Sequence, residues 1–400
     1  MSQLAPRACP VCHAWPRTHV YTQRFTTVSE VGFLAGYDVV VCGACGAGFA
    51  DRIPTQAHFD EYYRDLSKYE YDQRDGMESE HDRLRLQQVV ADLLPHLPGT
   101  NARVLDVGCA SGRLLSLLRA EGVDSVTGLD PSPRCCDVAR RLYGIDVRTG
   151  TLNRLPSSMQ QYDVVLLIGV LEHLEDLDVA LAAVRRLLAP AGIVWVEVPD
   201  VLGFSEWPNA PFQEFSVEHI QFFSPRSLSN LMSLRGFEEV TVLRNSRPQS
   251  SGTIMPNLSA MFRMLPALDG DAPEITRDSE TLPALREYVA WSAAQDGRLQ
   301  QRIDDVVDSA RPIAVWGVGT HTSRLLSSSR LRDARIIAFV DSNLKYHGHT
   351  LNGIPVVGPE WLRGRGEAIL ISSRVFEREI RDQIRDELRL PNDIILLYEV

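Results

Sequence analysis

Two acidic residues and a glycine turn form the first group of residues that could do chemistry. The segment 103–114 reads R-V-L-D-V-G-C-A-S-G-R-L, in which Asp106 ends an apolar stretch and Gly108 and Gly112 follow it. Glycine lets the backbone turn sharply and approach a ligand where a Cβ atom would collide. Asp130 ends the next apolar stretch, where a carboxylate can accept hydrogen bonds from ribose hydroxyls. This group therefore predicts a pocket for a nucleoside.

The glycine spacing argues against a dinucleotide in this pocket. The G-x-G-x-x-G pattern, which places a pyrophosphate on a helix terminus, is absent from the segment. Asp106 would repel a phosphate at this position, whereas it would attract a positively charged, methionine-type ligand. We therefore expect a nucleoside that carries a positive charge.

Four of the seven cysteines form two C-x-x-C pairs, Cys9 with Cys12 and Cys42 with Cys45. Each pair can place two thiolates on one tight turn, and the two pairs together can close a tetrahedral Zn²⁺ site. Disulfides are the first alternative, but they are rare in a cytoplasmic setting. A redox C-x-x-C is the second, but neither pair opens a helix after a strand. Four thiolates leave no open position for a substrate, so we predict a structural zinc ion.

Two Glu-His pairs follow predicted strands of the same region. Glu172 and His173 come after one apolar strand, and Glu218 and His219 lie beyond a later one. Ligands of open α/β sheets bind at the carboxyl ends of the strands. A histidine there can remove a proton near neutral pH, and an adjacent carboxylate can tune it. Two plainer interpretations stay open, a histidine that shapes the cofactor pocket at 173 and a packed loop histidine at 219.

Regular alternation of strands and helices positions these residues. The core is predicted to contain strands ending near 105, 129, 168, 198 and 243, with helices over 134–143, 177–188 and 225–235. Residues 247–280 are rich in Pro, Ser, Met and Gly and are predicted to form a linker or lid, and a long helix follows over 281–309. The predicted division is 1–57 zinc-binding module, 58–98 aromatic segment and connecting helix, 99–246 core, 247–310 linker or lid and long helix, and 311–400 C-terminal α/β domain.

The C-terminal unit begins with a strand over 313–316 and a glycine turn. The turn reads Gly317-Val318-Gly319, and a later strand ends at Asp341. This arrangement could bind a dinucleotide, but the third glycine of that fingerprint is missing. A scaffold or substrate-binding role is therefore the favoured interpretation.

Bulk properties exclude several classes of protein. Four hundred residues suggest two or three domains, and a net charge of −11 argues against a general nucleic-acid binder. The sequence has no apolar run of roughly 18 residues that could span a membrane. The first residues lack the apolar region of a signal peptide. We expect a cytoplasmic protein with no nucleic-acid or membrane partner.

The segment 103–114 resembles the first motif of class I S-adenosylmethionine-dependent methyltransferases, with Ala110 in place of the usual middle glycine. The order of parts, ending in a unit that reads I-A-V-W-G-V-G-T-H and then I-I-A-F-V-D-S-N, resembles bacterial sugar C-methyltransferases of deoxysugar and natural-product biosynthesis. The resemblance implies an α/β fold with a Rossmann-like methyltransferase core, a zinc-binding N-terminal module and a smaller Rossmann-like C-terminal domain. It also implies S-adenosylmethionine at Asp106, Gly108, Gly112 and Asp130.

The resemblance implies a reaction as well. Members that methylate carbon often read Tyr-His-Glu-His where this chain reads Ser216-Val217-Glu218-His219, so that only the last two residues match. By resemblance, His219 would remove the proton next to the ketone of a nucleotide-linked sugar, and the enolate would take the methyl group. The missing tyrosine leaves open O- or N-methylation of a glycan precursor or natural product.

Tyrosines from the segment before the core bear on this departure. Tyr69 or Tyr71 could supply the missing phenol, although the four tyrosines of this segment, which include Tyr62 and Tyr63, are interpreted chiefly as interdomain packing. A zinc-ribbon nucleic-acid-binding protein with a methyltransferase-like body is a third hypothesis. The acidic charge argues against it.

Overall fold

The computed structural model describes residues 4–29, 33–66, 78–207, 209–266 and 273–398. Within these ranges the strands are β1 (Arg17–Arg24), β2 (Gly36–Cys42), β3 (Gly48–Asp51), β4 (Val104–Val107), β5 (Val126–Asp130), β6 (Asp146–Thr149), β7 (Tyr162–Ile168), β8 (Leu188–Pro199), β9 (Gln221–Phe222), β10 (Phe237–Pro248), β11 (Ile254–Met264), β12 (Ile313–Trp316), β13 (Ile336–Val340), β14 (Thr350–Leu351), β15 (Ile354–Val357), β16 (Ala368–Ile371) and β17 (Ile394–Leu396). The helices are α1 (Gln56–Leu66), α2 (Glu80–Leu93), α3 (Arg113–Ala120), α4 (Pro133–Tyr143), α5 (Leu177–Leu187), α6 (Pro225–Leu234), α7 (Thr281–Asp308), α8 (Thr320–Ser328) and α9 (Glu377–Asp382).

The central sheet has the order β10-β11-β8-β7-β4-β5-β6. Strands β4 to β8 pair in parallel, and β11 runs antiparallel to both β8 and β10. All four residues of β4 are buried, as an apolar strand covered by helices on both faces requires. The predicted α/β core with a Rossmann-like sheet is therefore confirmed.

The predicted linker or lid contains a strand of this sheet. Strand β11 pairs with β8 over Asn257–Arg263, so the prediction is wrong for residues 254–264, and the boundary predicted at 246 falls within β10. Polar residues concealed the strand in the sequence. They are accommodated because Ser259 Oγ donates to Glu197 at 3.0 Å and the Asn257 amide donates to Asn245 at 2.9 Å. The long helix predicted next is confirmed as α7.

The N-terminal module shares its sheet with the core. Strands β1, β2 and β3 form an antiparallel sheet whose fourth strand, β9, comes from the core. Tyr37 and Val39 of β2 pack in one cluster with Phe215 and with Tyr288 of α7. This module therefore folds against the segment that carries His219, not as a separate unit.

The C-terminal domain contains a second α/β sheet, in the order β14-β15-β13-β12-β16-β17. Strand β12 lies between β13 and β16 and is parallel to both, which confirms a second, smaller α/β unit. The start of α8 lies beside the core, since the Val217 amide is 3.5 Å from Thr320 Oγ1. Among the described helices, none is both long and apolar enough to cross a bilayer.

Candidate active site

The glycine turn after β4 has the left-handed backbone that its sequence suggested. Gly108 has a φ of +71° and Gly112 a φ of +76°. A Cβ on Gly112 would lie 3.0 Å from the Ala139 Cβ, so this glycine also allows α4 to pack closely. Ala110 has a φ of +48°, a conformation that L-residues rarely adopt. The position where this chain departs from the usual glycine is thus one where glycine would be relaxed.

Replacing Ala110 by glycine should stabilise the protein. A left-handed residue with a Cβ costs roughly 1–2 kcal/mol, and the entropy of the added glycine takes back about 0.4–1 kcal/mol. We expect Ala110→Gly to raise the free energy of unfolding by about 0.5–1 kcal/mol in urea titrations. The control Ala182→Gly, at an exposed position inside α5, should lower it by about 1 kcal/mol. A destabilised Ala110→Gly would contradict the expected strain.

Two buried carboxylates lie beside this turn. The Asp130 carboxylate accepts hydrogen bonds from the Ala110 amide at 2.8 Å and from the Ser132 amide at 2.9 Å. Burial, together with the charge of Asp130, raises the pKa of Asp106 well above its ordinary value. A positively charged ligand would offset both effects and favour the ionised form. The chemistry of the pair therefore fits a sulfonium cofactor, while a hydrogen bond from a ribose hydroxyl to the Asp130 carboxylate stays a prediction.

The four predicted zinc ligands meet in space. Their sulfur atoms all lie within 4.8 Å of one another, and the Cys9–Cys45 and Cys12–Cys42 pairs are each 3.6 Å apart. A tetrahedral zinc site with Zn–S bonds of about 2.3 Å has sulfur–sulfur edges of roughly 3.8 Å. Hydrogen bonding to the neighbouring thiols Cys42 and Cys9, together with burial, raises the pKa of Cys45. A divalent cation would hold this cluster as thiolates, so the donor set fits Zn²⁺.

Both cysteine turns are docked onto other parts of the chain. The guanidinium of Arg235, at the end of α6, donates to the Pro10 carbonyl at 3.1 Å and to the Val11 carbonyl. The amide of Asp278 donates to the Cys45 carbonyl at 2.8 Å. The predicted zinc ion would therefore fix the position of the module against the core.

The two Glu-His pairs come together at one edge of the central sheet. Ligating atoms of Glu172, His173 and His219 lie within 4.8 Å of one another, and the two imidazole ring centres are 5.0 Å apart. The Ile220 amide donates to the Glu172 carbonyl at 2.8 Å, which ties the two turns together. One carboxylate and two imidazoles can hold a shared proton or a divalent cation.

Hydrogen bonds orient His173 within this cluster. Its Nδ1 is 3.0 Å from the Glu218 carbonyl oxygen and 2.9 Å from the Tyr63 hydroxyl. Because a carbonyl only accepts, we assign the ring proton to Nδ1. The other nitrogen, Nε2, lies 3.7 Å from Glu172 Oε1. His173 therefore faces Glu172 with the nitrogen that can exchange a proton.

Contacts from helix α1 and from within the His219 loop complete the site. The Tyr62 hydroxyl donates to Glu218 Oε1 at 3.2 Å, and Ser216 Oγ accepts from the amides of Glu218 and His219 at 3.2 and 3.0 Å. Tyr62 and Tyr63, interpreted from the sequence as packing, thus contact site residues. The only sequence signal that could have pointed to these two tyrosines was their position in an aromatic segment. Tyr69 and Tyr71 lie outside the described residues.

Comparison with known proteins adds a family. A family profile described as a methyltransferase domain matches residues 79–242, and one described as C2185-like, N-terminal matches residues 309–396. A ubiquinone biosynthesis O-methyltransferase of Cereibacter sphaeroides is 30% identical over 172 residues, which are 38% of this chain and 69% of that protein. A probable S-adenosylmethionine-dependent methyltransferase of Mycolicibacterium smegmatis is 30% identical over 164 residues, 41% of this chain and 62% of that protein.

Coverage of the relatives is partial. The chain spans 60% to 65% of the length of three curated relatives, from Bartonella tribocorum, Cereibacter sphaeroides and Mycolicibacterium smegmatis. The solved 1,6-didemethyltoxoflavin-N1-methyltransferase of Burkholderia thailandensis is 21% identical and covers 55% of this chain and 96% of its own, with a TM-score of 0.42. The profile match spans strands β4 to β9 with the glycine turn and both Glu-His pairs. Together with the Cereibacter sphaeroides O-methyltransferase of which the chain covers 69%, it shows that the chain belongs to the class I S-adenosylmethionine-dependent methyltransferases.

Proposed function

We propose that this chain transfers the methyl group of S-adenosylmethionine to a carbon atom of a small-molecule acceptor, a nucleotide-linked keto-deoxysugar, through a base-generated enolate. The observation that carries the proposal is the cluster of Glu172, His173 and His219, with ligating atoms within 4.8 Å of one another. The cluster adjoins the cofactor turn, since a Cβ on Gly108 would lie 3.1 Å from the Val170 side chain. A base and a methyl donor can therefore meet at one acceptor.

Each residue of the site has a defined task in this reaction. S-adenosylmethionine, when bound at Asp106, Gly108, Gly112 and Asp130, supplies an electrophilic methyl group. His219 accepts the proton from the carbon next to the ketone, and the electron pair left behind forms the enolate. Glu218, the preceding residue in the chain, tunes the proton affinity of His219. Alignment of the two reactants is the main contribution of the protein and is worth up to about 7–11 kcal/mol.

The neighbourhood of the C-terminal domain supports an acceptor with more than one part. Thr320, at the start of α8, reaches the amide of Val217 in the loop that carries His219. A sugar at the histidines and a nucleotide extending towards this domain would contact both units. Four cysteine ligands leave zinc no open coordination position, so we assign zinc a structural role.

Methylation of oxygen is the second candidate function. Two observations favour it: several relatives are named ubiquinone biosynthesis O-methyltransferases, and Ser216 stands where members of the sugar C-methyltransferases that the sequence resembles often have tyrosine. Removing a proton from a hydroxyl would use the same histidines. The two candidates differ in the atom that loses its proton.

Isotope exchange separates these two functions. The chain is incubated with a keto-sugar nucleotide and S-adenosylhomocysteine in deuterated water, and the sugar is followed by proton NMR. We expect loss of the signal from the carbon next to the ketone. With S-adenosylmethionine labelled in its methyl group, we expect the label on that carbon. Label on oxygen without exchange would favour O-methylation, and calorimetry that detects no S-adenosylhomocysteine binding would overturn both candidates.

A further inference from the structure

We propose that Arg7 is a positioning residue that connects the zinc-binding module to both histidine turns and so sets the placement of His173 relative to His219. The two turns are residues 171–175, which carry His173, and residues 216–221, which carry His219. The inference rests on the proposed function in one respect, that these histidines act on the acceptor.

The side chain of Arg7 bridges the two turns directly. Its guanidinium donates to the Glu175 carbonyl at 3.1 Å in the first turn and to Gln221 Oε1 at 3.3 Å in the second. Its Nε donates to the Ala50 carbonyl at 3.0 Å in strand β3. The side chain is 14% exposed, so water competes little for these contacts. One planar group thus contacts three separate segments.

Gln221 completes the connection from the other side. While its oxygen accepts from Arg7, its amide nitrogen donates to the Leu174 carbonyl at 2.7 Å. Gln221 is buried, and its neighbour Ile220 donates to the Glu172 carbonyl. The first turn is therefore held through three carbonyls, which accept from Arg7, from the Gln221 side chain and from the Ile220 amide.

The predicted zinc site fixes both ends of this connection. Arg7 lies two residues before Cys9, and strand β3 begins three residues after Cys45. Strand β3 pairs with β9 through Phe49 and Gln221, and the Ala50 amide donates to the Ile220 carbonyl at 2.8 Å. Ligation of the cysteines would hold Arg7 and β3 in register with the second turn.

Loss of this bridge should affect chemistry more than cofactor binding. Arg7 contacts the two histidine turns. The predicted cofactor residues are elsewhere: Asp106 lies on β4, Asp130 lies at the end of β5, and the glycine turn follows β4. A misplacement of about 1 Å in reacting groups can cost up to 10²-fold in rate. Lysine would restore a charge but not a planar fork that reaches three acceptors at once.

The test compares two arginines of the same module. We expect Arg7→Met to lower kcat about 10–30-fold while the Kd for S-adenosylhomocysteine stays within about twofold. The matched control is Arg17→Met, because Arg17 belongs to the same module and its contacts among the described residues are Asp51, at 3.3 Å, the Arg7 carbonyl and Trp15. The control should keep kcat within about twofold, and Arg7→Lys should recover only part of the loss.

A spectroscopic readout tests the placement without turnover. In protein labelled with ¹⁵N-histidine, Arg7→Met should shift the imidazole resonances of His173 and His219, whereas Arg17→Met should leave them in place. Zinc content measured by mass spectrometry should stay unchanged in both variants. Equal losses of kcat in the two variants, or unshifted resonances in Arg7→Met, would overturn the inference. If the proposed methyl transfer fails but the shifts occur, the positioning role stands without that function.

Discussion

We expect substitution of His219 by asparagine to lower turnover by about 10²–10⁴-fold, the usual contribution of a positioned general base, which is the role proposed for His219. Asparagine keeps a polar side chain of similar reach but cannot take up a proton near neutral pH. The glycine turn follows β4, whereas His219 lies just before β9. The affinity for S-adenosylhomocysteine should therefore change less than about twofold. Steady-state rates with labelled methyl donor and calorimetry measure these two quantities.

A control histidine shows whether the loss is specific. His13 lies in the zinc-binding module with its side chain 59% exposed, and His13→Asn should leave turnover within about twofold. The exchange of the acceptor proton should fall in His219→Asn by the same factor as turnover. Near wild-type turnover in His219→Asn would remove this residue from the mechanism, and loss of exchange in His173→Asn alone would transfer the role to His173.

Removing zinc should abolish turnover while leaving the central sheet folded. Structural zinc sites contribute about 10–16 kcal/mol of apparent binding free energy, which is also folding free energy of the module that they close. We expect one zinc ion per chain in the wild type and none after chelation or in Cys42→Ser. Turnover should fall at least about 100-fold, because β3 would no longer hold β9 beside His219.

The control for this experiment is a cysteine outside the cluster. Cys135 is buried in α4, and the Cys135→Ser variant should still contain one zinc ion per chain. Far-ultraviolet circular dichroism should retain most of the signal in the zinc-free protein, and calorimetry should still detect S-adenosylhomocysteine. A zinc-free preparation with full turnover would contradict the predicted site.

The sequence revealed those parts of the molecule whose chemistry is local. The residues of the glycine turn lie within a few positions of one another, as do the two cysteines of each C-x-x-C pair, so the spacing within each motif carries its geometry. Strand β11 was missed because its polar residues Asn257 and Ser259 have hydrogen-bond partners on β10 and β8, which a local sequence pattern does not show. Arg7 and Tyr63 reach partners more than 100 positions away, which no local pattern reports.

The departures from expected motifs have physical counterparts in the structure. Ala110 adopts the left-handed backbone that glycine would take more easily. Ser216 lacks the phenol of a tyrosine but fixes the amides of Glu218 and His219. Meanwhile Tyr62, from α1, brings a hydroxyl to Glu218. A motif read along the chain could not anticipate a group supplied from another element.

Strand β9, which the core contributes to the N-terminal sheet, also constrains how the chain folds during synthesis. Phe49 and Gln221 pair although they are separated by about 170 positions, and such distant pairings form late because loop closure must precede them. A ribosome will have released most of the central sheet before the first fifty residues can find their last partner. We therefore expect the N-terminal segment to remain incompletely folded during most of synthesis. A fragment that ends before residue 220 should remain susceptible to proteolysis near its amino terminus.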